Sequence, residues 1–147
     1  METKVDWDQL VGALRNELQE KGGLIGLLNQ QTETLYCRDS AQNERLEEQI
    51  RTQLELILRS TQGRDHAFRQ TASAFHLKED VQSNEVIRGF PDFVHPLLET
   101  LFSEVERLSS RVKERLKQNE GLKERFLFEA FSAVKCLSDE KPPKRDS

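Results

Sequence analysis

The chain has 147 residues, of which 35% are hydrophobic and 33% are charged, with only seven glycines and four prolines. This composition favours an elongated helical bundle or coiled coil over a globular enzyme, because it supplies much surface for little core. The formal net charge of −4 argues against a dedicated binder of nucleic acid or anionic membranes.

The first predicted helix covers residues 6–37. Its apolar residues recur with a period of about 3.5 residues, and Lys21 and Thr32 stand at two positions where an apolar side chain is expected. Gly22 and Gly23 lie in the middle, where each costs roughly 1 kcal/mol relative to alanine. We expect a weak point or a close packing contact there.

A second helix is predicted over residues 41–75, after a polar break. Asp39 or Ser40 is its expected N-terminal cap, because either side chain accepts a hydrogen bond from a free amide of the first turn. Gly63 is the position where the helix is expected to bend or briefly break. The short connection predicts an antiparallel hairpin of the first two helices.

Residues 76–90 lose the apolar period and are predicted to form a loop, with room for one short helical turn. The third helix is predicted over residues 91–137. Its start is placed at Pro91, because a proline is well suited to a first helical turn. At about 1.5 Å per residue it would be on the order of 70 Å long. Residues 139–147 are predicted to be a disordered tail.

These elements together predict an all-α fold. The expected architecture is an elongated antiparallel three-helix bundle or coiled coil with a long C-terminal helix, in a single domain over residues 1–138. The seam of the long helix consists of Val94, Leu98, Leu101, Val105, Leu108, Val112, Leu116, Leu122, Phe126, Ala130, Ala133 and Leu137.

The end of the long helix is the most apolar part of the chain. If the second helix packs along the third from its start, the match ends near Arg125, and residues 126–137 project beyond it. An exposed apolar strip of this size marks an interaction surface. The alternative is that the first helix or a second copy of the chain covers the strip. The predicted partner-binding residues are Leu122, Phe126, Phe128, Ala130, Phe131, Val134 and Leu137.

Apart from one short string around His66, no residue pattern points to catalysis or metal binding. The three histidines lack companions at ligand spacing, and no nucleophile or phosphate-loop motif occurs. We therefore expect a non-enzymatic protein with no catalytic residue, metal or cofactor. The locally basic stretch from Arg107 to Arg125 alternates with the apolar seam and lacks aromatic residues, so a solvated helix face is expected there.

The chain begins without an apolar h-region, and its apolar runs are short. Neither a signal peptide nor a transmembrane helix is expected, and we predict a cytoplasmic location. Cys37 and Cys136 are far apart in sequence and have no CxxC partner, which predicts reduced, partly buried thiols. A disulfide stays open as an alternative, since parallel first and third helices would bring their C-terminal ends together.

One string of eight residues, HAFRQTAS at 66–73, resembles the phosphorylated-histidine motif of histidine phosphotransfer domains. The resemblance implies that His66 accepts a phosphoryl group and that Arg69 helps to hold it. Gln70 stands where that family has a glycine, which gives the response-regulator partner room around the histidine.

Over most of its length the chain resembles the FlgN family of flagellar export chaperones. The resemblance is carried by TLYCRD at 34–39, LEEQIRTQLELI at 46–57, Arg64 after that segment, and Asn119 with Leu122 in the last helix. It implies a bacterial cytoplasmic chaperone that binds the C-terminal regions of hook-filament junction proteins. Such a chaperone keeps these proteins unassembled and presents them to the type III export gate.

The predicted strip suits this role, because an apolar strip can receive an amphipathic helix of a client by helix-in-groove recognition. Two alternatives remain. A self-associating coiled-coil scaffold would use the same strip for homodimerisation, and a histidine phosphotransfer domain would use His66.

Overall fold

The computed structural model describes residues 7–139, with side chains up to residue 135. Its helices are α1 (Trp7–Tyr36), α2 (Ser40–Ala74), α3 (Ser83–Arg88) and α4 (His95–Asp139), and a 3-10 turn at Asp92–Val94 precedes α4. The described part of the chain contains no β-strand, so the predicted all-α fold with a long C-terminal helix is confirmed. Most of the predicted tail, from residue 140 onward, lies outside the described residues.

The central helix is α1, which packs along both α2 and α4. Its buried residues include the adjacent pairs Leu10–Val11 and Leu24–Ile25. Because neighbouring residues on a helix point about 100° apart, such pairs present apolar side chains to two different helices. The long helix α4 is therefore not the centre of the bundle but one of the two helices that flank α1.

The three long helices run up, down and up. Lys21 of α1 contacts Ser109 of α4, and Thr32, later in α1, contacts Asn119, later in α4, so α1 and α4 are parallel. In α2 the order reverses, because Arg64 contacts Glu17 near the start of α1 and Asn43 contacts Gln31 near its end. The hairpin of α1 and α2 is antiparallel, as the short connection predicts.

Both helices of the hairpin end on a left-handed residue that is not glycine. Arg38 follows α1 with a φ of 56°, and His76 follows α2 with a φ of 62°. After α1, the N–H groups of Arg38 and Asp39 donate to main-chain carbonyls of the last turn at 3.1 and 3.2 Å, in a Schellman arrangement. Asp39 then accepts the Gln42 N–H at 3.1 Å, which confirms it as the predicted cap of α2.

Most of the apolar core lies near the start of α1, where α3 and the 3-10 turn close the bundle. It contains Leu10, Val11, Leu14, Ala67, Ala72, Val86, Ile87, Phe90, Val94, Leu98, Leu101 and Val105. A smaller core of Leu24, Leu28 and Ile50 lies further along α1. The apolar packing thus thins toward the end of the bundle where the long helix continues.

A buried ion cluster crosses the bundle between these cores. Glu17 is fully buried on α1, and its carboxylate lies 2.9 Å from Arg64 of α2 and 2.6 Å from Lys21. Lys21 also donates to the Ser109 hydroxyl of α4 at 2.6 Å. Burial alone raises the pKa of Glu17, but the hydrogen bonds and charges of Arg64 and Lys21 outweigh burial and hold the pKa below its ordinary value. Membership of this cluster explains why Lys21 stands at a position of the seam where an apolar residue is expected.

A second polar layer surrounds Asn119, which is buried on α4. Its side-chain amide donates to the Leu28 carbonyl at 2.9 Å and to the Gln31 side chain at 3.0 Å, and its oxygen accepts the Thr32 hydroxyl at 2.6 Å. Gln31 in turn donates to Asn43 of α2 at 3.2 Å. A buried asparagine of this kind fixes the axial register, because a slip of either helix leaves its amide unpaired.

The glycines do not break the helices. Gly22 and Gly23 lie inside a continuous α1, and α2 runs unbroken through Gly63, so no break forms there. At Gly23 an added Cβ would lie 3.0 Å from the Gln53 side-chain nitrogen, which is the close contact expected in that region. The predicted partial burial of Cys37 is wrong, because its thiol sits exposed in the turn after α1.

Candidate partner-binding surface at the end of the long helix

The end of α1 is packed against α4 by an aromatic and ionic cluster. The rings of Tyr36 and Phe126 meet edge to face with centroids 6.2 Å apart. The Arg38 guanidinium lies 4.5 Å from the Phe126 centroid and donates to the Glu129 carboxylate at 2.8 Å. From Phe126, α4 continues to Asp139, which at about 1.5 Å per residue is roughly 20 Å of helix beyond the end of α1.

This projecting part of α4 carries large exposed apolar side chains. Leu127 and Phe128 are each 71% exposed, Phe131 is 68% exposed and Val134 is 63% exposed. Leu127, Phe131 and Val134 follow one another at spacings of four and three residues, which places them along one face of the helix, with Phe128 at its edge. We call these four residues the ridge.

The predicted strip is thus divided by the structure. Leu122 is 9% exposed and belongs to the interior of the bundle, whereas Phe126 is half-buried under Arg38. Phe128, Ala130, Phe131 and Val134 are exposed, and the side chain of Leu137 lies outside the described residues. Leu127 was not among the predicted residues, although its spacing to Phe131 and Val134 is the signal that identifies it.

A groove lies beside the ridge, between α4 and the turn that joins α1 to α2. Its volume is about 620 Å³. Leu35 and Phe126 form its inner end, and the small side chains of Ala130 and Ala133 line it along α4. We call this concavity the end groove. Because alanines leave room above the helix surface, the end groove can admit side chains of another helix.

One ion pair bridges the end groove at its inner end. Lys123 of α4 lies 3.0 Å from Glu47 of α2 and 3.5 Å from Glu120. Burial alone lowers the pKa of Lys123, but hydrogen bonds and charges from the two carboxylates raise the pKa above its ordinary value overall. The bridge ties α2 to α4 at the level where α4 starts to leave the bundle.

The phosphotransfer motif lies elsewhere, on the outer side of α2. His66 and Gln70 are both exposed. Arg69, which the resemblance assigns to hold a phosphoryl group, forms an ion pair with Asp65 at 3.0 Å. The cation of the motif is therefore already engaged by a carboxylate of the same helix.

Other kinds of site are not visible in the described residues. Between residues 7 and 139, no three His, Cys, Asp or Glu side chains are grouped as metal ligands. In the same range, every helix is too short or too polar to cross a bilayer. No family model, curated protein or solved structure matches the chain. A functional interpretation therefore depends on the ridge, the end groove and the resemblance of the sequence.

Proposed function

We propose that this protein is a non-enzymatic export chaperone that binds an amphipathic helix of its client at the end of α4. The observation that carries the proposal is the exposure of the ridge on a helix that continues beyond the bundle. Single exposed apolar residues are ordinary, but a contiguous group at helical spacing is typical of an interaction surface. A helix of a client can cover such a ridge with its own apolar face.

The magnitudes are consistent with reversible binding. Full burial of a large apolar side chain contributes roughly 1.5–3 kcal/mol, so the four residues of the ridge contribute on the order of 6–12 kcal/mol. Association costs about 4–15 kcal/mol in lost translational and rotational freedom. Because these two ranges overlap, the ridge alone gives at most moderate affinity, and tighter binding requires contacts outside it. Weak or moderate affinity suits a chaperone that must release its client.

The resemblance to the FlgN family supplies the class of client. We propose that the clients are hook-filament junction proteins, bound through their C-terminal regions in the bacterial cytoplasm and delivered to a component of the type III export gate. Two features support this proposal. The residues that carry the resemblance lie in the three long helices and the first turn, and Asn119 fixes the parallel register that places the end of α4 beyond α1.

The test is binding of purified junction protein to the chain carrying Phe128→Asp together with Phe131→Asp. Loss of two aromatic contacts should weaken binding by roughly 100-fold or more. The matched control is Leu58→Asp with Phe93→Asp, which changes two apolar residues that are 58% and 75% exposed but lie away from the ridge. Calorimetric titration gives the affinities, and circular dichroism gives the melting temperatures.

Each outcome decides between two interpretations. The ridge variant should keep the helicity and melting temperature of the unmodified chain while losing the client, and the control should bind normally. Equal binding by both variants would rule out the ridge as the client site. A large fall in melting temperature for the ridge variant would show that these residues stabilise the fold instead.

A self-associating scaffold is the second candidate, because the same ridge can pack against a second copy of the chain. Sedimentation equilibrium separates the two functions. A monomer of 17.1 kDa favours the chaperone, since its ridge is then free for a client. A stable dimer that dissociates on Phe131→Asp favours the scaffold.

A further inference from the structure

The charges around the end groove indicate which kind of helix it accepts. Its lining includes four carboxylates, from Asp39, Glu44, Glu47 and Glu129, and two cations, from Arg38 and Lys123. Internal ion pairs neutralise part of this set, since Arg38 pairs with Glu129 at 2.8 Å and Lys123 pairs with Glu47 at 3.0 Å. Two carboxylates therefore determine the net charge of the rim.

Those two carboxylates, Asp39 and Glu44, are both exposed. Asp39 accepts a main-chain N–H as the cap of α2. The helix dipoles do not offset this charge. The C-terminal end of α1 and the N-terminal end of α2 meet at the same turn, and their partial charges have opposite signs. The rim of the end groove is thus acidic.

A second copy of this chain is a poor occupant of such a groove. The part of α4 that carries the ridge has Glu129 and Lys135 as its charged residues between 127 and 135, so it brings no net positive charge. A helix from a different protein, with Lys or Arg beside its apolar stripe, complements both the apolar lining and the acidic rim. Electrostatic complementarity of this kind selects partners and raises association rates.

We propose that the end groove selects client helices whose apolar stripe is bordered by lysine or arginine. In this arrangement the stripe packs on Leu127 of the ridge and on Ala130 and Ala133, which line the end groove together, while the basic border lies over Asp39 and Glu44. The inference rests on the proposed function, because it assigns the chemistry of the client to the same surface. It adds the contacts outside the ridge that tighter binding requires.

The probes for the test are two synthetic amphipathic peptides of about 18 residues, long enough for five helical turns. They share one leucine stripe and differ only in the residues beside it, which are lysine in one and glutamate in the other. We expect the full chain to bind the lysine peptide in a fluorescence titration and to bind the glutamate peptide far more weakly. The difference should shrink as NaCl rises from about 0.05 to about 0.5 M, since salt screens exposed charges.

Charge variants locate the effect. Asp39→Asn with Glu44→Gln keeps a side-chain cap on α2. It should lower the affinity for the lysine peptide about fivefold, the size expected for two exposed ion pairs. Glu55→Gln with Glu99→Gln removes the same charge from exposed positions away from the groove and should leave binding unchanged. Equal binding of both peptides, or equal loss in both double variants, would overturn the inference.

The result separates this inference from the proposed function. If junction protein is captured normally by the chain with Asp39→Asn and Glu44→Gln but lost with Phe128→Asp and Phe131→Asp, the charge rule fails and the function stands. If the chain prefers the lysine peptide and ignores junction protein, the charge rule stands and the function fails.

Discussion

The Arg38 guanidinium lies 4.5 Å from the centroid of the Phe126 ring, and this contact marks the level at which α1 ends while α4 continues. Below it, the large apolar side chains of α4 are partly or fully covered. Above it, the four residues of the ridge are each more than 60% exposed. The same helix therefore serves the fold on one side of Phe126 and, we propose, a partner on the other.

The first prediction separates these two parts of α4 by their effect on stability. Phe126→Ala should lower the free energy of unfolding by about 1–2 kcal/mol. It removes the aromatic contact between Phe126 and Tyr36 and the cation–π contact between the Phe126 ring and Arg38. Phe128→Ala should change it by less than about 0.5 kcal/mol, as for other exposed positions. Urea denaturation followed by circular dichroism measures both. Similar losses in the two variants would mean that the ridge is covered in solution.

A second prediction concerns the polar layer around Asn119. Asn119→Ala should cost roughly 1–3 kcal/mol, because it removes the donor to the Gln31 side chain and one of the donors to the Leu28 carbonyl inside the bundle. Asn29→Ala is the control, since Asn29 is exposed on α1 and alanine is the better helix former. Chemical denaturation compares them, and equal stability of both variants would contradict the role given to the layer.

A third prediction follows from the lowered pKa of Glu17. A carboxyl whose folded-state pKa lies below its unfolded value, about 4.3, stabilises the fold above that value and loses this contribution as pH falls through the folded pKa. The free energy of unfolding should therefore fall below about pH 4.3. With Glu17→Gln the fall should be shallower, because one of the titrating groups is gone.

At pH 7, Glu17→Gln should cost roughly 3 kcal/mol, the low end for a broken buried pair, because Arg64 keeps partial access to water. Glu55→Gln, on an exposed face of α2, is the control and should leave both stability and its pH dependence unchanged. Denaturation curves between pH 3 and pH 7 give the free energy of unfolding of both variants. The same dependence on pH in the two variants would contradict the interpretation.

A fourth prediction compares two glycines with different surroundings. Gly22→Ala should stabilise the chain by about 0.5–1 kcal/mol, because Gly22 lies inside α1 and an added Cβ meets no neighbour within 4 Å. Gly89→Ala should destabilise it by about 1–3 kcal/mol, because its Cβ would lie 2.5 Å from the Phe75 ring, which packs against Phe90. Thermal melts give both signs, and a stabilising Gly89→Ala would contradict the packing.

The apolar period of the sequence predicts most of this fold. It identifies the three long helices, with ends within a few residues of the observed bounds, because each helix has a seam that a spacing of 3.5 residues reveals. It does not identify α1 as the central helix. The central position of α1 is visible in adjacent buried pairs such as Leu24 and Ile25, which face two different helices. A search for one apolar seam assigns only one face to each helix and therefore overlooks the second.

The polar layers could be detected from the sequence only as irregularities. Lys21 and Thr32 stand out in the seam of α1, but their partners Ser109 and Asn119 are 88 and 87 residues away. Pairing them requires the axial register of α1 and α4, which no local pattern contains. The end groove was missed for the same reason, because it forms between α4 and a turn that is distant in sequence.

Amide hydrogen exchange of the full chain tests most directly whether the ridge is the docking surface. The measurement compares the chain alone with the chain bound to the C-terminal region of a junction protein. We expect amides of residues 127–135 to exchange rapidly in the free chain, because no other helix within residues 7–139 packs over the ridge, and to become protected in the complex. Protection confined to other parts of the chain, with residues 127–135 unchanged, would contradict the proposal.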